Sequence, residues 1–303
     1  MKKEDFKPLD GSWADIFHKY AAQRLADGSC ERAWCNLRLY CDTYNWQCAE
    51  CDDRLWIASF ESGYIFFPLG ELPGVELLAE RLQEFAAICG KNIICGDIPC
   101  NYPELFPEAE KCFEFEFDAG DCDYIYDLAH LHSFSGSKLR KRHNQVRQFE
   151  REYEGRFITE SISANLLPEV TAMAAIASCG YWQSDSGMEE KLAIAQLEKL
   201  WDSADMPLDG VLIRVDGKVA GFSIFSAMNN DMADVHFEKA DRSLIGCGAK
   251  LTAVLTEYLL QKNYRFMNRE QDLNIEGLRR AKLALDPDRM CKRLNTEIFL
   301  PYC

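Results

Sequence analysis

Apolar residues recur along the first half of the chain with two different periods. A spacing of three to four residues predicts helices over Ala14–Ala26 and Gly74–Cys89, and Gly90 after the second favours a left-handed C-cap. Alternating or continuous apolar runs bounded by turn residues predict strands. These strands are Arg32–Tyr44, Leu55–Phe60, Tyr64–Pro68, Asn92–Cys95 and Cys112–Phe117, with a short helical segment at Pro103–Lys111.

The second half repeats this order of elements. Its strongest signal is Asp216-Gly217-Lys218, a hairpin turn between two strand-like runs. The predicted strands are Phe157–Ile162, Asp209–Val215, Val219–Ala227, Ala233–Glu238, Arg265–Asn268 and Glu297–Leu300, and the predicted helices are Leu166–Cys179, Met188–Ser203, Ala249–Gln261 and Ile275–Leu285. Both halves contain strand–turn–strand, a long helix and a short strand, which indicates a divergent internal repeat.

We therefore predict an α/β fold with mixed sheets in two tandem domains, residues 1–150 and 151–303. The charged helical segment Leu139–Tyr153 connects the two halves. A length of 303 residues exceeds the usual size of one core, and 48% hydrophobic with 27% charged residues is typical of globular proteins. No apolar run approaches the roughly 18 residues of a membrane span, and Met1–Asp5 is charged where a signal peptide is apolar. We expect a cytoplasmic protein.

Fourteen cysteines raise the question of disulfides or metal. Many of them lie in apolar periodic segments, where a thiol behaves as a small buried hydrophobe. Examples are Cys89, Cys95, Cys179 and Cys247. The one Cys-x-x-Cys, Cys48 to Cys51, follows Cys35 and Cys41 and makes a zinc site conceivable, but no second close pair completes it. We predict reduced thiols and no metal ligands.

The distribution of charge is more informative than the net charge of −15, which argues against wholesale nucleic-acid binding. Residues 1–137 hold 11 Lys and Arg against 25 Asp and Glu, whereas residues 138–303 hold 23 against 24. Basic residues gather in Lys138–Arg151, with six, and in Lys262–Arg293, with nine. Two basic segments in an acidic chain indicate a local anion site.

A hairpin, a third strand, a glycine loop, a helix and another strand, in this order, resemble the GCN5-related N-acetyltransferase (GNAT) fold. The resemblance implies that the loop and the following helix N-terminus bind a pyrophosphate. The family loop has the form Gln/Arg-x-x-Gly-x-Gly/Ala, and here Ser243 occupies its first position, one residue after Arg242. Arg242, Ser243, Gly246 and Gly248 are therefore candidate cofactor contacts. Two glycines before a helix are equally what a tight turn uses, so both interpretations remain open.

A closer resemblance covers nearly the whole chain and is to the family of the phosphatidylglycerol lysyltransferase C-terminal domain. Three stretches carry it, of which the third is the most specific. They are Asn36–Tyr40 with Tyr44–Trp46, Asp123–Tyr126 with Gly136–Asn144, and Asn268–Lys282 ending at Pro287. The resemblance implies tandem GNAT-like domains related to enzymes that transfer aminoacyl groups from tRNA to lipid or peptidoglycan precursors.

Polar residues of the third strand of the second half are candidates for acid–base chemistry. Alternation predicts Asp234, His236 and Glu238 on one face of this strand. In the GNAT arrangement the strand splays from Arg265–Asn268, and the gap receives the acyl donor. His236 or Glu238 is then a candidate general base for the acceptor amine. The alternative is a face that is simply exposed to solvent.

The most specific stretch supplies further candidates. Glu270 is a third possible catalytic carboxylate, while Asn268, Asp272, Arg279 and Lys282 are candidates for binding a substrate carboxylate or phosphate. The alternative is an ion-pair network that holds strand to helix.

The basic segment adds Lys138, Lys141 and Arg142, which are suited to the phosphates of tRNA or CoA. The alternative for these three residues is a solvated helix paired with the acidic first half.

Two functions follow from these observations. The main hypothesis is an acyl- or aminoacyltransferase that uses acyl-CoA or aminoacyl-tRNA as donor and a small-molecule or peptide amine or a hydroxyl as acceptor. Strand-edge N–H groups would stabilise the tetrahedral oxyanion. The alternative is a non-catalytic binding protein for an anionic small molecule, favoured by Ser243 where the family loop has Gln or Arg.

Overall fold

The computed structural model describes residues 1–24, 28–178 and 180–300. The prediction for Cys179 lies outside these residues, as does the end of the predicted helix Ala14–Ala26. Contacts divide the chain into two compact units, Met1–Cys122 with Cys291–Cys303, and Asp123–Met290. This division differs from the predicted one at residue 150, because residues 123–150 pack within the second unit and the C-terminal strand joins the first.

Residues 1–122 alternate short helices with strands. The helices are α1 (Ala14–Ala21), α2 (Trp34–Leu39), α3 (Cys41–Tyr44), α4 (Val75–Cys89) and α5 (Tyr102–Leu105). The strands are β1 (Lys7–Pro8), β2 (Gln47–Cys51), β3 (Arg54–Ser59), β4 (Tyr64–Phe66), β5 (Leu69–Gly70) and β6 (Ile93–Pro99). Helix α4 ends at Gly90 with a φ of +66°, as its sequence predicts.

Two strand predictions in this half are wrong. Arg32–Tyr44 forms α2 and α3, because its buried Trp34 and Leu37 also satisfy the three-residue helical spacing. Within the described part of the chain, Cys112–Phe117 forms a single bridge, from Glu116 to Asn295, and no strand. Its alternation instead reflects Phe113 and Phe115 packing on the core of the first unit.

The second unit begins with a strand and a short helix. Its strands are β7 (Asp123–Asp127), β8 (Phe157–Ser161), β9 (Leu208–Val215), β10 (Lys218–Ala227), β11 (Met232–Ala240), β12 (Phe266–Asn268) and β13 (Arg289–Cys291). Its helices are α6 (Leu128–Ser133), α7 (Arg140–Glu152), α8 (Leu167–Ala177), α9 (Asp185–Ala195), α10 (Leu197–Leu200), α11 (Cys247–Gln261) and α12 (Glu276–Leu283). The predicted hairpin is formed by β9 and β10, which pair around Asp216 and Gly217.

The final strand, β14 (Arg293–Ile298), pairs antiparallel with β6 and therefore belongs to the first sheet. The sheet orders are β1-β2-β3-β4-β6-β14, with β5 also on β3, and β13-β7-β12-β11-β10-β9-β8. In the first sheet α4 connects the parallel strands β4 and β6, and in the second α11 connects the parallel strands β11 and β12. The predicted repeat is thus visible as one crossover in each sheet.

An ion-pair cluster is buried in the first unit, next to its parallel strand pair. The Asp97 carboxylate contacts Nε of Arg32 at 2.7 Å, Nε of Arg293 at 3.1 Å and the Ser29 hydroxyl at 2.7 Å. Asp97 is 3% exposed and has a φ of +58°. Removing the charge of Asp97 should therefore lower the free energy of unfolding.

None of the twelve described cysteines forms a disulfide bond. Cys48 is buried and Cys51 is partly exposed, and three positions apart on β2 they point to opposite faces of the sheet. Burial raises the pKa of the Cys48 and Cys95 thiols. Among the helices that the structure describes, none is both long and apolar enough to cross a membrane.

Candidate functional site

The second sheet opens between β11 and β12. The two strands pair in parallel over three residue pairs, the last of which joins Asp234 to Asn268. Strand β11 continues to Ala240, whereas β12 ends at Asn268 and the two residues after it are hydrogen-bonded to Tyr124 of β7 on its other side. A gap therefore begins beyond Asp234, at the position where the sequence predicts one.

A β-bulge at His236 changes which side chains share a face of the sheet. Ile224 pairs with Phe237 and Phe225 with Val235, so His236 is the extra residue. Glu238, opposite Ser223, contacts Thr252 of α11, while Asp234 lies opposite Ser226 on the other face. The prediction of one face for Asp234, His236 and Glu238 is wrong, because the bulge shifts the alternation by one residue.

His236 is the centre of a buried polar cluster. Its Nδ1 lies 3.1 Å from Oε1 of Glu270 and 3.6 Å from Oδ2 of Asp234, and its Nε2 lies 2.8 Å from the Ser226 hydroxyl. The side chains of Asp234 and His236 are fully buried, whereas that of Glu270 is 21% exposed. Of the predicted catalytic residues, His236 and Glu270 are therefore in direct contact, and Glu270 is the one that reaches solvent.

Glu238 belongs to a second cluster, made with arginines. Its Oε1 lies 2.6 Å from Nη2 of Arg269, a residue that the sequence reasoning did not single out. Arg142 of α7 interacts electrostatically with both residues, and burial together with repulsion from Arg269 lowers the pKa of its guanidinium. Because the Glu238 carboxylate is already engaged by Arg269 and two arginines lie at this cluster, the cluster favours anion binding over base catalysis.

The loop after β12 is held by its own polar residues. Asp272 is fully buried and accepts from Nε and Nη2 of Arg279 at 2.8 and 2.9 Å and from the Tyr124 hydroxyl at 2.6 Å. Burial and this bond raise the pKa of Tyr124 to about 12. The Lys282 ammonium donates to the backbone carbonyls of Arg269 and Gln271.

Asn268 completes this network. Its amide donates to Oδ2 of Asp123 at 3.0 Å, and its Oδ1 accepts from the backbone N–H of Glu270 at 2.6 Å. Glu270 has a φ of +56°, a conformation uncommon outside glycine. The loop that positions Glu270 is therefore held by Asn268, Asp272, Arg279 and Lys282. This arrangement agrees with the alternative interpretation of these residues as a polar network that holds strand to helix.

Helix α7 presents a basic face to solvent. Arg140, Lys141, Arg147 and Arg151 are exposed, and within the described residues none of the four forms an ion pair. Their spacing places Arg140, Arg147 and Arg151 on one side of the helix. Lys138, before the helix, instead pairs with Asp286 at 2.6 Å.

The glycine loop packs tightly against α7. Gly246 has a φ of +76° at the N-cap of α11, and a Cβ on it would lie 2.3 Å from the Gln145 carbonyl oxygen. The N–H of Ser243 donates to the Asp241 carboxylate at 2.8 Å, and that of Cys247 to Leu244. These contacts favour the tight-turn interpretation of the loop.

Arg242 and Ser243 do line a cavity of about 750 Å³. Its other walls are the hairpin turn around Gly217 and an apolar side of α8 that includes Met173 and Ile176. The cavity is open, with Ile176 81% exposed.

Comparisons with known proteins give the family and the fold. The family model described as phosphatidylglycerol lysyltransferase, C-terminal, matches residues 22–293. No curated protein sequence matches the chain. A conserved protein of unknown function from Bacteroides thetaiotaomicron VPI-5482 aligns with a TM-score of 0.84 at 24% identity, over 98% of this chain and all of that one.

Two further solved structures resemble this chain at lower identity. L-PGS from Bacillus licheniformis aligns with a TM-score of 0.64 at 14% identity, over 98% of this chain and 94% of that one. A tandem GNAT protein from the clavulanic acid biosynthesis pathway aligns with a TM-score of 0.51 at 13% identity, over 98% and 99%. The predicted tandem GNAT-like fold with mixed α/β sheets is confirmed.

Proposed function

Because the chain belongs to the phosphatidylglycerol lysyltransferase C-terminal family, we propose that it transfers an aminoacyl group from a charged tRNA to an amine or hydroxyl acceptor. The acceptor nitrogen or oxygen attacks the ester carbonyl carbon, the ester bond to the tRNA ribose breaks, and the acceptor's proton ends on the ribose oxygen. Both the donor and the acceptor class are part of the proposal.

The observation that carries the choice of donor is the basic face of α7. Exposed cations that are not engaged in ion pairs are available to neutralise phosphates, and each such contact adds salt-dependent affinity. Three arginines along one side of the helix match the extended backbone of a nucleic acid better than the single pyrophosphate of CoA. The net charge of −15 argues against nucleic-acid binding over the whole surface, so a local basic face is the candidate contact.

The glycine loop supports tRNA over CoA. A pyrophosphate site needs backbone N–H groups that point outward. Here the Ser243 N–H is bonded to the Asp241 carboxylate, whose negative charge opposes a phosphate, and Gly246 is packed on Gln145. A loop engaged in this way is suited to structure rather than to a cofactor.

The gap between β11 and the segment after β12 is our candidate reaction site. Among the residues that the structure describes, no strand pairs with β11 on this side beyond Asp234, so its edge N–H groups are candidates for stabilising the oxyanion. The cluster around His236 is our candidate for handling the acceptor's proton, and Glu270 is its member with access to solvent. Arg269 and Arg142 are candidates for holding an anionic part of either substrate.

The donor is tested by reversing charge on α7. We expect Arg147→Glu/Arg151→Glu to weaken tRNA binding at least tenfold in a filter-binding assay. The slope of the logarithm of the binding constant against the logarithm of the salt concentration should also fall, by the amount that corresponds to about two phosphate contacts. The matched control, Lys7→Glu/Lys111→Glu, makes the same charge change at exposed lysines of the first unit and should leave tRNA affinity within about twofold.

The reaction is tested with a radiolabelled pool of aminoacyl-tRNAs and three acceptors: phosphatidylglycerol vesicles, peptidoglycan precursors and small amines. Label appearing on one acceptor supports the proposal. Acetyl transfer from acetyl-CoA without any aminoacyl transfer would overturn it. Binding of tRNA with no transfer to any acceptor would favour the non-catalytic alternative.

A further inference from the structure

We propose that Asp234, His236 and Glu270 bind a divalent transition-metal cation. Each of the three side chains offers one ligand atom, and these atoms all lie within 4.8 Å of one another. Among the described residues, this is the group of three or more His, Cys, Asp or Glu side chains that meets this criterion. One imidazole nitrogen and two carboxylate oxygens are ligands that Zn²⁺ accepts readily and Mn²⁺ also tolerates.

The distances within the cluster match a shared cation. Ligands about 2.05 Å from a tetrahedral Zn²⁺ are separated from one another by about 3.3 Å. Nδ1 of His236 lies 3.1 Å from the Glu270 oxygen and 3.6 Å from the Asp234 oxygen, on either side of that value. The third separation, between the Asp234 and Glu270 oxygens, is within 4.8 Å, so a cation among the three atoms requires these two carboxylates to approach each other by at most about 1.5 Å.

The surroundings orient the ligands as they do in metal sites. A ligating histidine usually bonds its second ring nitrogen to a polar group that fixes the ring, and here Nε2 of His236 contacts the buried Ser226 hydroxyl. Glu270 is directed back toward β11 by a left-handed backbone conformation, and its N–H is held by Asn268. Two of the ligands thus lie on one strand, β11, and the third lies on a braced loop.

Charge and access also fit a cation. Two carboxylates carry −2, which a divalent cation neutralises in a buried setting where charge is costly. Glu270 is 21% exposed at the gap, and this leaves a path for the ion and a fourth coordination position. If the proposed transferase function holds, this position faces the substrate gap; binding of the ion itself does not depend on that function.

The experiment measures metal on the full chain after removal with a chelator. We expect one Zn²⁺ per chain by elemental analysis after reloading and desalting, and a visible absorption band of tetrahedral Co²⁺ when Co²⁺ is used instead. Asp234→Asn and Glu270→Gln should each weaken Zn²⁺ binding at least tenfold. Glu238→Gln, on the same strand but on the opposite face, should retain the wild-type stoichiometry.

Three outcomes overturn the inference. They are less than a tenth of an equivalent of Zn²⁺ retained by the wild type, equal retention by the Asp234→Asn/Glu270→Gln double variant, and a Co²⁺ band that persists in that variant. Thermal melting of each variant in chelator verifies that it is folded. If the chain binds no metal and its aminoacyl transfer is unchanged by chelator, the metal site is refuted and the proposed function stands. If the chain binds metal but transfers no aminoacyl group, the metal site stands and the proposed function is refuted.

Discussion

Gly246 is the position where the structural role of the glycine loop can be measured directly. The substitution Gly246→Ala puts a Cβ at a φ of +76°, which costs an L-residue roughly 1 kcal/mol. The same Cβ would meet the Gln145 carbonyl oxygen at 2.3 Å and Cβ of Phe149 at 3.1 Å, so α7 or the loop must shift. Forcing extra volume into a packed site typically costs a further 1–3 kcal/mol or so, and we expect a total of about 3 kcal/mol.

The matched control is Gly248→Ala, two residues further along. Its nearest neighbour would be the Ala240 Cβ at 3.8 Å, an ordinary contact, and it lies in the first turn of α11. Alanine there should change the free energy of unfolding by less than about 1 kcal/mol, and in the stabilising direction. Urea unfolding of both variants at pH 7 measures the difference. A loss below about 1 kcal/mol for Gly246→Ala would refute the reasoning, since the loop would then be loose enough to accommodate another role.

Two further predictions concern buried carboxylates. Although burial opposes ionisation, hydrogen bonds from Arg279 and Tyr124 lower the pKa of Asp272 below its unfolded value. The ionised Asp272 carboxylate therefore contributes its full stabilisation above about pH 4, and this stabilisation is lost as the pH falls further. The difference in urea midpoint between wild type and Asp272→Asn should accordingly shrink from pH 7 to pH 3. A difference that stays constant over this range would contradict the prediction. The substitution Asp97→Asn keeps the side-chain shape and tolerates the positive φ, but it removes the charge shared by two buried arginines. We expect it to lower the free energy of unfolding by about 3 kcal/mol in the same assay. A loss below about 1 kcal/mol would show that the stability of the cluster does not depend on this charge.

Much of the fold could be predicted from periodicity and turn chemistry. The hairpin around Gly217, the helix ending at Gly90 and the crossover through α11 all follow from local patterns. The strand prediction for Arg32–Tyr44 failed because its local spacing also fits a helix, whereas the sheet of the last strand could not be predicted because its pairing partner is remote in sequence. The C-terminal strand β14 pairs with β6 about 200 residues away, and no local pattern assigns it to the first sheet.

The candidate site was predictable in composition and not in arrangement. His236, Glu238 and Glu270 could be selected by residue type and motif, but the bulge that separates Glu238 from the other two arises from pairing with β10. Ser226 carried no signal, since a serine in a buried strand is unremarkable by sequence. Arg269 lies within the family stretch and could have been chosen there had its carboxylate partner been known.

The sequence by itself determined the repeat of elements, the family and the polar residues near the end of the third strand. These depend on spacing along the chain, which is a property of neighbours. Only the tertiary structure decided that Gly246 serves packing, that Asp272 and Arg279 brace a loop, and that the Asp234, His236 and Glu270 side chains converge. Each of these depends on distances between residues from different elements, and register, a bulge and one left-handed residue are enough to change which atoms meet.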